Sequence, residues 1–137
     1  MAHDKFIVEV LTPEGEVFKD EVEMVSTRTA VGSIGVLAHH APILAMLDPT
    51  ELRLYKTESE VVAFAQAEGY MQMTANHAIL LVEEAHTRDE LDAGELRDRL
   101  QQAERELESA DDDSEKRRVA ERDKRRLEQF LKIAESA

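Results

Sequence analysis

Residues 6–15, Phe6-Ile7-Val8-Glu9-Val10-Leu11-Thr12-Pro13-Glu14-Gly15, set a pattern that the first two thirds of the chain repeats. Phe6, Val8 and Val10 alternate with Ile7, Glu9 and Leu11, which is the two-residue period of a strand with one face turned inward. Thr12-Pro13-Glu14-Gly15 then supplies a turn, with Pro13 fixing φ and Gly15 permitting a left-handed corner. Short apolar runs follow at 17–18, 22–26 and 32–37, and in the last of these Gly32 and Gly35 mark bulges or close backbone approach. Residues 41–47 are apolar throughout, Asp48-Pro49-Thr50 turns the chain into 51–55, and runs at 61–67, 69–73 and 78–82 complete the series, with an Asn76-His77 turn before the last. About eight to ten short strands at such close spacing predict an antiparallel sandwich or barrel and not βαβ units.

Near residue 87 the pattern changes. Asp92-Ala93-Gly94-Glu95 places an Asp at a helix N-cap with Glu three positions later, a capping-box pattern. Leu96, Leu100, Ala103, Leu107 and Ala110 recur at spacings of four and three and form one narrow apolar seam. Asp111-Asp112-Asp113-Ser114 breaks that helix and can cap the next, where Val119, Leu127, Phe130, Leu131 and Ala134 make a second seam interrupted by Asp123. Two such helices predict an antiparallel hairpin in which each covers the other's apolar side. So little apolar area makes the hairpin marginal by itself, free to dock, open or extend, and as one straight rod residues 92–135 would reach about 66 Å. The expected fold is therefore α+β: an antiparallel β-sandwich of about ten strands over residues 1–86, followed by an antiparallel two-helix hairpin over 87–137.

Charge follows the same division. Residues 1–87 carry 5 Lys and Arg against 14 Asp and Glu, residues 88–115 carry 4 against 12, and residues 116–137 carry 8 against 4. The net charge of −13 argues against nucleic acid as a partner, because binding a duplex needs a net basic face. With 137 residues, 42% of them apolar, one modest core and a small appendage can form. The absence of cysteine excludes disulfides and thiolate zinc sites. The first residues run into a strand pattern without the marks of a signal peptide, and no apolar run approaches the roughly 20 residues that span a bilayer, so a soluble cytoplasmic protein is expected.

Catalytic constellations are scarce. His3, His39, His40, His77 and His86 match no zinc spacing, and the adjacent His39 and His40 would point to opposite faces of a strand. Ser26, Ser33 and Ser59 lack a glycine elbow, and Gly32-Ser33-Ile34-Gly35 lacks the Lys and hydroxyl of a phosphate loop. Enzymatic activity is not expected in this chain alone. Lys116, Arg117, Arg118, Arg122, Lys124, Arg125, Arg126 and Lys132 cluster on the second helix. They fit charge pairing within the hairpin, with Glu104, Glu106, Glu108 and residues 111–113 or at the spacings Glu121-Arg125 and Glu128-Lys132. From charge alone that pairing is the commoner arrangement, and the other reading is a positive rod that leaves the acidic first helix for an acidic partner.

Taken in order, Phe6 to Gly15, Val17-Phe18, Val22-Glu23-Met24-Val25 and above all Gly32-Ser33-Ile34-Gly35-Val36-Leu37-Ala38-His39-His40-Ala41-Pro42 resemble the epsilon subunit of the F-type ATP synthase, called delta in mitochondria. The longest of these stretches is similar to that family's G-E-x-G-[IV]-L-P-G-H-A-P, with Ala38 and His39 where the family has Pro and Gly. Ala67-Glu68-Gly69-Tyr70-Met71 is similar to its second Gly-aromatic signature, and residues 78–85 to its last strand. The resemblance implies a sandwich bound to the gamma subunit and touching the c-ring, with Val31, Gly32, Ser33 and His40 towards the c-ring. It also implies a hairpin that extends along gamma and blocks ATP hydrolysis by contacting acidic segments of the catalytic alpha and beta subunits, with Arg117, Arg118, Arg122, Arg125 and Arg126 as the contacting residues. The implied location is peripheral, on the cytoplasmic face of a bacterial plasma membrane, reached only through the complex. Some members bind ATP in the folded hairpin through [IL]-D-x-x-R-A. Here Leu91 and Asp92 match, but Glu95 and Leu96 stand in the Arg and Ala places, and a carboxylate there repels a phosphate, so no cofactor is expected. The alternative is a nucleotide-sensing sandwich and hairpin adaptor with no rotor role.

Overall fold

The computed structural model describes residues 3–112 and 114–136. Asp113, part of the expected interhelix break, lies outside them, as do Met1, Ala2 and Ala137. Ten strands come first: β1 (Phe6–Thr12), β2 (Gly15–Val22), β3 (Met24–Thr29), β4 (Gly32–Leu37), β5 (Ile43–Leu47), β6 (Thr50–Tyr55), β7 (Val61–Gln66), β8 (Gly69–Thr74), β9 (His77–Val82) and β10 (Ala85–His86). A 3₁₀ turn, Arg88–Glu90, leads to α1 (Ala93–Ser109) and α2 (Glu115–Glu135).

The strand order β10-β7-β6-β3-β5-β8-β9-β1-β2, with β4 on the other side of β3, wraps into two layers. β4, β3, β6, β7 and β10 form one layer and β5, β8, β9, β1 and β2 the other, joined where Thr29 of β3 pairs with Leu47 of β5. Alternation decides which side chains meet between the layers. Phe6, Val8 and Val10 of β1 pack with Val25 of β3, Leu52 and Leu54 of β6, Phe64 of β7, Met71 and Met73 of β8 and Leu80 of β9 in one buried cluster. The expected β-sandwich is present, with one parallel pairing inside it, β1 on β9. The sequence run 22–26 is split, since Val22 ends β2 and Met24 begins β3. The turn expected at Asn76-His77 sits one residue earlier, on Ala75 and Asn76, whose φ of 49° and 59° reverse the chain so that His77 can open β9.

The hairpin forms as its caps dictate. Asp92 Oδ1 accepts from the Glu95 backbone N–H at 3.1 Å, and Ser114 Oγ accepts from that of Arg117 at 3.1 Å, each satisfying a donor of a helix's first turn. A further capping box, not read from the sequence, forms at Thr87-Arg88-Asp89-Glu90: Glu90 Oε1 accepts from the Thr87 backbone N–H at 3.0 Å and from its hydroxyl at 2.9 Å. These bonds hold the Glu90 carboxyl below its ordinary pKa. The buried seam of α2 is Ala120, Leu127, Phe130 and Ile133, with Leu131 and Ala134 only half-buried. It differs from the expected seam because α2 packs on two neighbours, α1 and the sandwich. Leu96 and Ala103 of α1 and Leu127, Phe130 and Ile133 of α2 share one apolar cluster with Ala65 of β7 and Ala67 just beyond it.

Candidate functional site

Three surfaces stand out, and the first and third gather residues that the sequence singles out. The first is the β3–β4 tip. Thr29 Oγ1 donates to the Gly32 carbonyl at 2.9 Å and accepts from the Val31 backbone N–H at 3.2 Å, while Gly32, at φ 137°, makes the bend. Val31 is thereby held out with 99% of its surface exposed, and Ser33 beside it is exposed as well. His40 lies past the other end of β4, roughly 16 Å of strand away, so the tip and His40 are not neighbours. His40 is exposed, with its Nδ1 2.6 Å from the Ala41 carbonyl. Beside it, His39 at φ 65° ties its backbone N–H to Asn76 Oδ1 at 2.6 Å and its Nε2 to Asp4 at 3.0 Å.

The second surface is the outer face of β5, β8 and β9. Register aligns Met46 with Tyr70 and Tyr70 with Leu81, and Leu81 with Leu11 of β1. One step along, Leu44 lies opposite Gln72, and Gln72 opposite Ile79. Leu44 is 74% exposed, Met46 61%, and Tyr70 and Leu81 53% each. The Ala30 backbone N–H donates to the Met46 carbonyl at 3.0 Å, which joins the Val31 tip to this face. The face was not singled out from the sequence, although a signal was present. Residues 41–47 are apolar on both sides of a strand, whereas a strand between a core and water alternates.

On the third surface, where the hairpin lies on the sandwich, the basic residues separate into two groups. Arg117 pairs with Glu121 at 3.2 Å and Asp112 at 3.8 Å, Arg118 with Glu115 at 2.5 Å, and Arg122 with Asp123 at 3.0 Å, all within the hairpin. Arg125 and Arg126 leave the hairpin altogether. Arg125 reaches Asp48 at 3.0 Å, and Arg126 bridges Glu68 and Glu84. The spacing expectation of Glu121 with Arg125 gives way to these sandwich carboxylates. The Arg126 side chain is only 12% exposed, and that burial pushes its pKa below the ordinary value. Beneath α2 lies a satisfied polar network: Thr27 Oγ1 donates to Gln66 Oε1 at 2.7 Å, and Gln66 Nε2 donates to the Asp48 carbonyl at 2.9 Å. Nearby, His86 stands edge-on to Phe130 at 5.8 Å and 85°, with its Nε2 2.9 Å from Glu84.

Leu91 and Asp92 sit beside this contact. Leu91 packs on the hairpin's apolar cluster, and Asp92 serves as the cap of α1. The cleft they line, about 160 Å³, is also lined by Glu84, Glu90, Glu95 and Arg99. Among the described residues no group of three or more His, Cys, Asp or Glu is placed to hold a metal ion, and no helix is long and apolar enough to cross a membrane.

The sandwich with its C-terminal hairpin is a fold shared with chains of solved ATP synthases. It superposes on a chain of the Euglena gracilis mitochondrial ATP synthase with a TM-score of 0.75 at 22% identity, covering 92% of this chain and 77% of that one. A chain of the Tetrahymena thermophila mitochondrial ATP synthase central stalk and c-ring gives 0.62 at 17% identity, covering 98% and 99%. Residues 5–88 match the family described as ATP synthase, Delta/Epsilon chain, beta-sandwich domain. The ATP synthase epsilon chain of Persephonella marina is 38% identical over 128 residues, 93% of this chain and 94% of that one, and that of Priestia megaterium is 37% identical over 107 residues, 77% and 78%. The chain belongs to the ATP synthase epsilon chain family.

Proposed function

We propose that this chain is a non-catalytic rotor subunit whose sandwich, residues 1–86, binds the gamma subunit through the open face of β5, β8 and β9 and meets the c-ring with the Val31 tip. Residues 87–137 then form a movable arm that restrains ATP hydrolysis when it leaves the sandwich and offers its arginines to acidic segments of the alpha and beta subunits. The observation that carries this reading is the contiguous exposed row of Met46, Tyr70 and Leu81 flanked by Leu44. A solvent-facing strand surface of large apolar side chains is the mark of a permanent protein partner. Such a chain sits at the cytoplasmic face of the plasma membrane only through its complex. The carboxylates around Asp92 support a role without bound nucleotide, because Glu84, Glu90 and Glu95 oppose a phosphate.

One reconstitution tests both parts. Leu44→Asp with Met46→Asp should leave the chain folded, as both side chains are exposed, and abolish its recovery with gamma. Deleting residues 88–137 should keep that recovery and raise ATP hydrolysis by the assembled complex. Undiminished recovery of the aspartate variant would show that the gamma interface lies elsewhere, and unchanged hydrolysis after the deletion would remove the inhibitory role.

A further inference from the structure

The apolar part of the contact between α2 and the sandwich is small, because the surface beneath Leu127, Phe130 and Ile133 is offered by two alanines, Ala65 and Ala67. The polar part is built more rigidly. The Ala67 backbone N–H donates to the Glu84 carbonyl at 2.9 Å, and that of Glu83 to the Glu68 carbonyl at 3.0 Å, so the backbones carrying Glu68 and Glu84 are stapled together. Two carboxylates fixed at one junction repel unless a cation stands between them. Arg126 is that cation, bonding one carboxylate with Nη1 and the other with Nη2 while its Nε is buried without a hydrogen-bond partner. A guanidinium that has given up this much water stays docked only while both carboxylates face it. One residue earlier, Arg125 reaches Asp48, whose carbonyl is held by Gln66 from inside the sandwich.

We propose that Arg126, set between Glu68 and Glu84, is an internal latch that keeps the hairpin docked without any bound ligand, and that docking withholds Arg125 and Arg126 from an acidic partner. The latch is a property of the isolated chain. The withholding rests on the inhibitory-arm reading, and together they make docking and inhibition mutually exclusive. A buried ion pair adds little net stability over an apolar pair of the same shape, but it penalises every misaligned arrangement. The latch therefore sets the register of docking and leaves the balance between docked and released states easy to shift.

Hydrogen exchange on the full chain tests the latch with three variants: Arg126→Gln, the double variant Glu68→Gln with Glu84→Gln, and the triple variant that combines them. In the first two the amides of α1 and α2 should exchange roughly ten- to a hundredfold faster while β1, β6 and β8 keep their protection, because a buried charge has lost its partner. The triple variant leaves no charge unpaired and should recover part of the protection. Helices as protected as in the parent chain, or a triple variant no better than Arg126→Gln, would overturn the proposal. If Arg126→Gln loses strand protection as well, the carboxylate double variant decides, since it leaves α2 untouched: faster helices alone support the latch, and parent-like helices overturn it. In the assembled complex the same double variant, with every arm arginine intact, should lower ATP hydrolysis. Faster helix exchange with unchanged hydrolysis would keep the latch and remove the arm reading.

Discussion

The sandwich presents two apolar faces built on opposite plans, one under the hairpin and one open. The face under the hairpin is made of small apolar residues, Ala65 and Ala67, ringed by charge from Asp48, Glu68 and Glu84. The open face of β5, β8 and β9 is made of large apolar residues, Leu44, Met46, Tyr70 and Leu81, with little charge among them. Large apolar contacts suit a partner that stays, because the area removed from water is high and its exposure alone is unfavourable. A small apolar contact set by ion pairs suits a partner that leaves, because each charged group is readily solvated once apart. The covered face is thus the weaker of the two in apolar area, and the Arg126 ion pairs with Glu68 and Glu84 add to what holds the hairpin on it.

Three substitutions probe this contrast, beginning with the largest effect. Gly69 opens β8, and a Cβ added there would lie 2.0 Å from the Leu81 carbonyl oxygen and 2.7 Å from the Val82 Cα, so β8 and β9 could not pair as they do. Gly69→Ala should cost about 3 kcal/mol or more and disrupt the open face, seen as a lower urea midpoint together with weakened gamma binding. Phe130 is buried over Ala65 and Ala67, and Phe130→Ala should cost about 3 kcal/mol, confined to the covered face. Its signature is helix amides that exchange faster while strand amides do not, and a lowered global midpoint would blur the distinction between the faces. Asp92→Ala removes the cap of α1 and should cost about 1 kcal/mol, read as a small loss of helicity by circular dichroism with gamma binding unchanged.

The sandwich was legible because alternation at Phe6-Val8-Val10 and punctuation such as Thr12-Pro13-Glu14-Gly15 are local signals, and local chemistry decides strands and caps. Asp92 and Ser114 cap their helices for the same reason. Partners of charged side chains were not legible at that level. Glu121 is four positions from Arg125, yet Arg125 pairs with Asp48, because α2 also lies on the sandwich and helical spacing knows nothing of that neighbour. Ile133 was missed from the buried seam for the same reason. Tip residues Val31, Gly32 and Ser33 and the distant His40 share one sequence stretch, and only the extended course of β4 separates them.

The parallel pairing of β1 with β9 sets an order of events at the ribosome. Ile7 to Leu11 can pair with β2 at once but cannot find their β9 partners until residues 77–81 have been made, so one edge of the first strand waits open. Closure comes almost at the end of the sandwich, and the hairpin is synthesised only afterwards. Glu68 and Glu84 both precede Arg126 in the chain, and the backbone bonds that staple them side by side need nothing from the hairpin. Arg126 thus meets a seat that residues ahead of it in the chain have built, and the chain closes its own acidic junction.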